Sequence, residues 1–262
     1  MGIKTTLQIS QLPSQYHNLS LRATVDGVCD SVYMLGDKYV LKYFENSDKE
    51  RIKNEIKLLD NLKSLPVPRV VDKCYINNNI TIIYSKIRGE SIYNPSLDNI
   101  KDIAIFLKNF HILTQDISSD NINFFSPNRL LKKIKETNFT PLLNLYNRIN
   151  IDLKNDGVIH GDLFVDNAKF LNNQLSGVYD FSDASIGDFR FDLAVVAISW
   201  CYDKDNINHQ KIQTLLKYYK SKLLFDEFKP YIQYALLYYA TTRYINGRDY
   251  NGLIYRLEGL LW

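Results

Sequence analysis

Three oxygen-bearing residues stand in one stretch of this 262-residue chain: Asp162, Asn167 five positions later, and Asp180, 18 positions after the first. Asp162 follows the apolar run Val158-Ile159 through a polar His160-Gly161 step. Ala168 to Leu171, the pair Asn172-Asn173 and Leu175 to Phe181 then read as a β-hairpin that ends at Asp180. If Leu171 faces Gln174 across a two-residue turn, Asn167 faces Val178, and Asp180 lies two residues further on the same face, because strand side chains alternate. That diagonal spans about 7–8 Å. Two oxygen ligands at such a separation can converge on one Mg²⁺, a cation that keeps several waters and borrows other ligands from phosphates. Taken singly, Asp and Asn near strand ends are turn formers that bond their own backbone; the set of three shifts the balance toward chemistry.

A cation and a further carboxylate lie upstream. Lys42 sits in the run Val40-Leu41-Lys42-Tyr43-Phe44, so its ammonium would leave the face of a sheet. Glu55 is three residues after Ile52 and four before Leu59, on or beside the apolar stripe of a helix. Each alone is most simply a solvated charge, Lys burying only its stem. Joined to the acids downstream, the pair fits a phosphate-binding Lys held by a helix carboxylate.

The elements that must position these residues can be read from periodicity. Leu21 to Val25, Val32 to Leu35 and Lys38 to Phe44 are β-branched and aromatic runs, with Gly36-Asp37 as a hairpin turn. From Asp48 the period becomes helical through Ile52, Ile56, Leu59, Leu62 and Leu65, and Pro66 and Pro68 stop it. Strands are expected at Val70 to Ile76 and Ile80 to Ile87, joined by Asn77-Asn78-Asn79. Helices are expected at Asn99 to Leu113, over Leu130 to Ile149 and along the aromatic stretch from Gln210 to Leu261.

Composition bounds the rest. With 45% hydrophobic and 23% charged residues the chain is globular in character, and its scarce Gly (11) and Pro (7) argue against an all-β sandwich. A net charge of +3, from 32 basic and 29 acidic residues, gives no footprint for nucleic acid. Cys29, Cys74 and Cys201 form no Cys-x-x-Cys pair, which suits reduced thiols in a cytoplasmic setting better than a disulfide framework or a zinc site. Met1 to Ser14 lacks the apolar core of a signal peptide, and the longest apolar run, Leu193 to Tyr202, is about half of the roughly 20 residues a membrane span needs, so no membrane partner is expected.

In order along the chain, Lys42, Glu55, His160-Gly161-Asp162, Asn167 and Tyr179-Asp180-Phe181 resemble the kinase-like phosphotransferases that include aminoglycoside, choline and type II homoserine kinases. The resemblance implies an α+β, two-lobed protein-kinase-like fold, with a small antiparallel-sheet lobe over residues 1–88 that binds nucleotide. A larger helical lobe over 89–262 would carry the catalytic loop and the acceptor site. By the protein-kinase template, Lys42 contacts the phosphates of ATP and Glu55 positions it, Asp162 accepts the proton of the attacking hydroxyl, and Asn167 and Asp180 hold Mg²⁺. Adenine would lie near the Tyr84 to Ile87 hinge, with Ser85 and Ile87 offering backbone groups. His160 and Asp192 would support the catalytic loop, and Trp200 and Arg243 would belong to the substrate pocket.

Departures from the family narrow the class. Gly161 replaces the Arg of the protein-kinase His-Arg-Asp, and Asp192 follows Asp180 by 12 residues, which leaves no room for a peptide-docking segment. The segment Val25 to Ser31 has a single Gly, so phosphate contact there would fall to Ser31, Asp30 and backbone amides. Phe181-Ser182-Asp183 stands where choline kinases carry an aromatic-Glu-Tyr. Pro66-Val67-Pro68, Lys86-Ile87-Arg88-Gly89, Phe110-His111, Asp192-Leu193-Ala194 and Ser199-Trp200-Cys201 are most similar to the homoserine kinase branch. The expected activity is γ-phosphoryl transfer from ATP to a small hydroxyl acceptor, with L-homoserine the first to try. An aminoglycoside, choline or another amino or sugar alcohol is the alternative acceptor, and a non-catalytic nucleotide-binding protein the alternative class.

Overall fold

The computed structural model describes residues 4–24, 30–45, 48–117 and 123–261. The chain falls into two compact units, Met1–Arg88 with Ser176–Ser182, and Gly89–Leu175 with Asp183–Trp262. The expected strand residue Val25 and most of the expected phosphate-contact segment, 25–29, lie outside the described residues.

In the first unit β1 (Leu21–Ala23), β2 (Ser31–Leu35), β3 (Tyr39–Tyr43), α1 (Lys49–Asn61), β4 (Val70–Ile76) and β5 (Asn79–Ser85) succeed one another. The strands form one antiparallel sheet in the order β1-β2-β3-β5-β4. Its register sets Lys42 between Val32 and Ile82. Tight turns are made where the sequence offers residues that tolerate a left-handed backbone: Gly36 (φ 56°) after β2, and Asn77 and Asn78 (φ 49° and 67°) between β4 and β5. Leu35, Leu41, Tyr33 and Ile83 make the core with Leu7, Leu12 and Tyr16 from the segment before β1. Asp48 caps α1 by accepting from the Glu50 amide (3.0 Å). The helix buries Ile52, Glu55, Leu58 and Leu59.

The second unit holds α2 (Leu97–Thr114), α3 (Pro127–Thr137), α4 (Thr140–Tyr146), β6 (Gly157–Ile159) and β7 (Ala168–Leu171). The chain continues through β8 (Gln174–Val178), β9 (Ser185–Gly187), α5 (Phe189–Trp200), β10 (Tyr202–Asp203), β11 (Asn206–Ile207), α6 (His209–Tyr219), α7 (Phe225–Ile245) and α8 (Asn251–Leu260). β7 and β8 form a two-stranded sheet. Their turn has positive φ at both Asn172 (52°) and Asn173 (62°), the pattern of a type I′ hairpin. The helical stretch expected over Leu130 to Ile149 is two helices, because Asn138 turns left-handed (φ 54°) and Pro141 opens a new helix beside it. The stretch from 210 to 261 is three helices, broken where Lys220 (φ 67°) and Gly247 (φ 63°) leave the right-handed region. The apolar run at 193–202 is mostly α5, apolar on every side and buried. No helix among the described residues is long and apolar enough to cross a membrane.

Candidate active site

β3 delivers Lys42 with 13% of its side chain exposed. Its ammonium donates to Asp180 Oδ1 (3.3 Å) and to the Ser182 hydroxyl oxygen, lies 3.8 Å from Asp30 Oδ2, and stands 5.1 Å from the Phe44 ring centre. Burial works against this charge, yet the fields of Asp180, Glu55 and Asp30 outweigh it and hold the ammonium above the ordinary lysine range. The expected helper, Glu55, is buried and acts on Lys42 through space. Its Oε1 accepts from the Tyr84 hydroxyl (3.1 Å), and burial lifts its carboxyl above the usual range despite the pull of Lys42. Tyr84, expected near an adenine hinge, is thus first a partner of the helix carboxylate.

Asp180 has a left-handed backbone (φ 63°), rare for a residue other than Gly, and a side chain 44% exposed. Ser182 donates to its Oδ1 (2.7 Å), while Arg51, from the first turn of α1, donates to the Ser182 carbonyl (2.7 Å). The strand leading to Asp180 is anchored by the Val178 amide on the Pro66 carbonyl (2.9 Å). A Cβ on Gly177 would lie 2.7 Å from Ile87 and 3.0 Å from the Pro66 carbonyl, so only Gly allows that approach. Ile87 is half-buried against it, and Ser85 pairs with Arg69 through both its hydroxyl and its amide (2.8 Å each). The Ser31 hydroxyl is buried, accepts from the Lys4 and Thr5 amides (2.8 and 3.1 Å) and donates to Glu45, which makes it a pin for the segment before β1.

In the second unit β6 pairs antiparallel with β9 and runs into His160-Gly161-Asp162. The main-chain amides of His160 and Gly161 donate to the two oxygens of Asp192 (2.8 Å each), at the first turn of α5. Asp192 is 0% exposed. Burial opposes its ionisation, but the hydrogen bond and field of His111, the field of His160 and the Gly161 amide hold its carboxyl below the usual range. Gly161 is left-handed (φ 75°), and a Cβ there would lie 2.4 Å from the Phe125 ring. Its carbonyl accepts from the Tyr239 hydroxyl, whose ring meets Phe164 edge-on at 4.7 Å. The peptide ahead of Asp162 is therefore held from α5 on one side and α7 on the other.

Asp162 is half-buried, and Asn167 donates through Nδ2 to its carbonyl (2.7 Å) and to its carboxylate Oδ2 (3.0 Å). The Phe164 amide also donates to the Asp162 carbonyl (2.8 Å), and the Val165 amide donates to Ser199 Oγ (3.0 Å). Trp200 is fully buried, and its indole N–H donates to the Leu163 carbonyl (2.9 Å). This corrects the expectation that Trp200 lines a substrate pocket: an indole with no exposed surface braces the loop from beneath. Arg243 is exposed on the last turn of α7, four residues beyond Tyr239 and so on the same helical face. Ser182 and Arg51 beside Lys42, and Tyr239 at the Gly161 carbonyl, were not singled out in the sequence; for Ser182 the signal was its place two residues after Asp180.

The first unit thus holds a largely buried Lys amid carboxylates, and the second a clamped loop on which an Asn binds an Asp. Residues 20–221 match the model of the phosphotransferase enzyme family, and the chain belongs to that family. It is similar to the homoserine kinase of Bartonella henselae, 28% identical over 231 residues, with 77% of this chain and 72% of that protein covered. Among solved structures it is similar to the gentamicin complex of APH(2")-IIa, at 22% identity, TM-score 0.64, and 92% and 91% of the two chains covered. It is also similar to choline kinase LicA from Streptococcus pneumoniae, at 16% identity, TM-score 0.62, and 93% and 92% covered. The mixed α+β fold with its small antiparallel sheet is the protein-kinase-like one expected.

Proposed function

We propose that this phosphotransferase moves the γ-phosphoryl group of ATP to the hydroxyl of a small amino acid, with L-homoserine the first candidate. The observation that carries the reading is the Asp162–Asn167 arrangement on its doubly held loop. Asn167 donates to the Asp162 carboxylate and to the same residue's carbonyl, which fixes the carboxylate as an acceptor of set direction. Asp162 takes up the proton of the attacking hydroxyl as transfer proceeds. A loose phosphoryl transition state asks little covalent work of the protein, so positioning and charge carry most of the catalysis. Lys42, kept cationic by the carboxylates around it, supplies positive charge to the nucleotide phosphates. By the protein-kinase template Asp180 and Asn167 would hold Mg²⁺, and each is chemically suited to it: Asp180 offers a carboxylate, and Asn167, its amide nitrogen spent on Asp162, offers a carbonyl oxygen. Mg²⁺ held there would neutralise phosphate charge.

Charge favours an acceptor that carries a carboxylate. Arg243, one helical turn or about 6 Å along α7 from the residue that touches the Gly161 carbonyl, offers a guanidinium suited to a carboxylate. A free amino acid carries that carboxylate, whereas an aminoglycoside or choline brings positive charge. The name carried by the Bartonella henselae relative supports the same choice. A coupled ADP-release assay across L-homoserine, other hydroxylated amino acids, choline and aminoglycosides tests it. Turnover is expected with L-homoserine, with a raised KM for it when Arg243 is replaced by Ala. Turnover with an aminoglycoside or choline alone would overturn the acceptor. No turnover with any of them, together with stabilisation by Mg-ATP, would overturn catalysis in favour of a nucleotide-binding role.

A further inference from the structure

Asp192 is the acceptor for the two amides ahead of Asp162, but a carboxylate with free torsion would be a loose anchor. A third donor reaches it: His111 Nε2, in the last turn of α2, lies 3.0 Å from the Oδ2 that also binds the His160 amide. The imidazole is 2% exposed and is itself held on two further sides. Its face stacks on Phe189 at 3.9 Å between ring centres with 6° between planes, and its Nδ1 lies 2.8 Å from the hydroxyl of Tyr219, at the last residue of α6. An ionised carboxylate only accepts, so Nε2 carries a proton toward Asp192. Burial and the nearby charge of Asp192 keep the Tyr219 phenol protonated, able to donate to Nδ1. Hydrogen bonds thus run from Tyr219 to His111, from His111 to Asp192, and from the His160 and Gly161 amides to Asp192.

We propose that His111 is a positioning residue for the catalytic loop, acting through Asp192, and that the Tyr219 hydroxyl fixes the imidazole, so that the end of α6 is tied to the backbone ahead of Asp162. The role rests on the reading of Asp162 as the catalytic acceptor of the proton. Contact with substrate is not part of it. A group that fixes one tautomer of a ring through its second nitrogen is a recurrent device for orienting a carboxylate or a ligand.

Three variants test it. His111→Gln places an amide N–H where Nε2 stands and is expected to keep kcat close to wild type. His111→Leu removes the donor while Asp192 retains its two amides, and is expected to lower kcat by about 10–100-fold, the range for a group that orients another, with KM for ATP unchanged. Amide hydrogen exchange at His160 and Gly161 is expected to quicken in the Leu variant and not in the Gln variant. Imidazole ¹⁵N spectra of the wild type are expected to show His111 protonated at Nε2, with mixed tautomers in Tyr219→Phe. Wild-type kcat in His111→Leu, equal losses in Leu and Gln, or a wild-type ring protonated at Nδ1 alone would each overturn the proposal. If no acceptor supports turnover, the reading of Asp162 fails by itself; exchange at His160 and Gly161 still decides the role of His111, unchanged rates in the Leu variant overturning it.

Discussion

Asp180 shows how much a single residue is asked to do. Its backbone adopts φ 63°, and its carboxylate accepts from Lys42 and from Ser182, two positions further on. A left-handed residue other than Gly costs of order 1–3 kcal/mol and persists only where its surroundings insist on it, commonly at sites of function. Asp180→Asn is the informative change, since Asn also tolerates that backbone while losing the charge. We expect it to weaken Mg²⁺-dependent ATP binding by about tenfold or more, or about 1.4 kcal/mol, in calorimetric titrations with and without Mg²⁺. Unchanged affinity would remove Asp180 from the proposed cation site. The one sequence signal for Ser182 as a bridge between Lys42 and Asp180 was its place two residues after Asp180, and that spacing is read as readily as a turn.

Among the elements, those with a strong local signal were legible in the sequence. The β-meander, α1 with its Asp48 cap, and the hairpin turn at Asn172-Asn173 arise from alternation, period and residues that tolerate positive φ. The partners were not, because they join positions far apart in the chain: Tyr84 to Glu55 across 29 residues, His111 to Asp192 across 81, Arg51 to Ser182 across 131. The break between α3 and α4 was not placed for a local reason, Asn138 being an unremarkable residue until its backbone turns left-handed. The loop before Asp162 was legible as a motif, whereas the fit that fixes it was not. Gly161 combines φ 75° with an approach to Phe125 that leaves no room for a methyl group. Gly161→Ala is therefore expected to lower stability by at least about 1–3 kcal/mol in denaturant titration and to depress kcat together with it. A variant equal to wild type in both would mean that the loop has other conformations available.

For the molecule as a whole, Asp192 links stability to pH. Its folded carboxyl is held below the unfolded reference of 3.8, so the folded state binds that proton less readily than the unfolded chain. The stability it contributes is present above that reference and is lost as pH falls through the lower folded value. Asp192→Asn should therefore melt below wild type near neutral pH, with the gap narrowing on acidification below about 3.8; a gap that stays constant with pH would contradict the assigned charge. In the proposed reaction Asp162 is the acceptor of the hydroxyl proton, and Asn167 and the held loop set its direction. The direct measurement is kcat and ATP affinity for Asp162→Asn, which keeps size and hydrogen bonding but cannot take up the proton. The expected result is a kcat lower by about 10²–10⁴ with ATP binding nearly intact, and a fully active Asp162→Asn enzyme would contradict it.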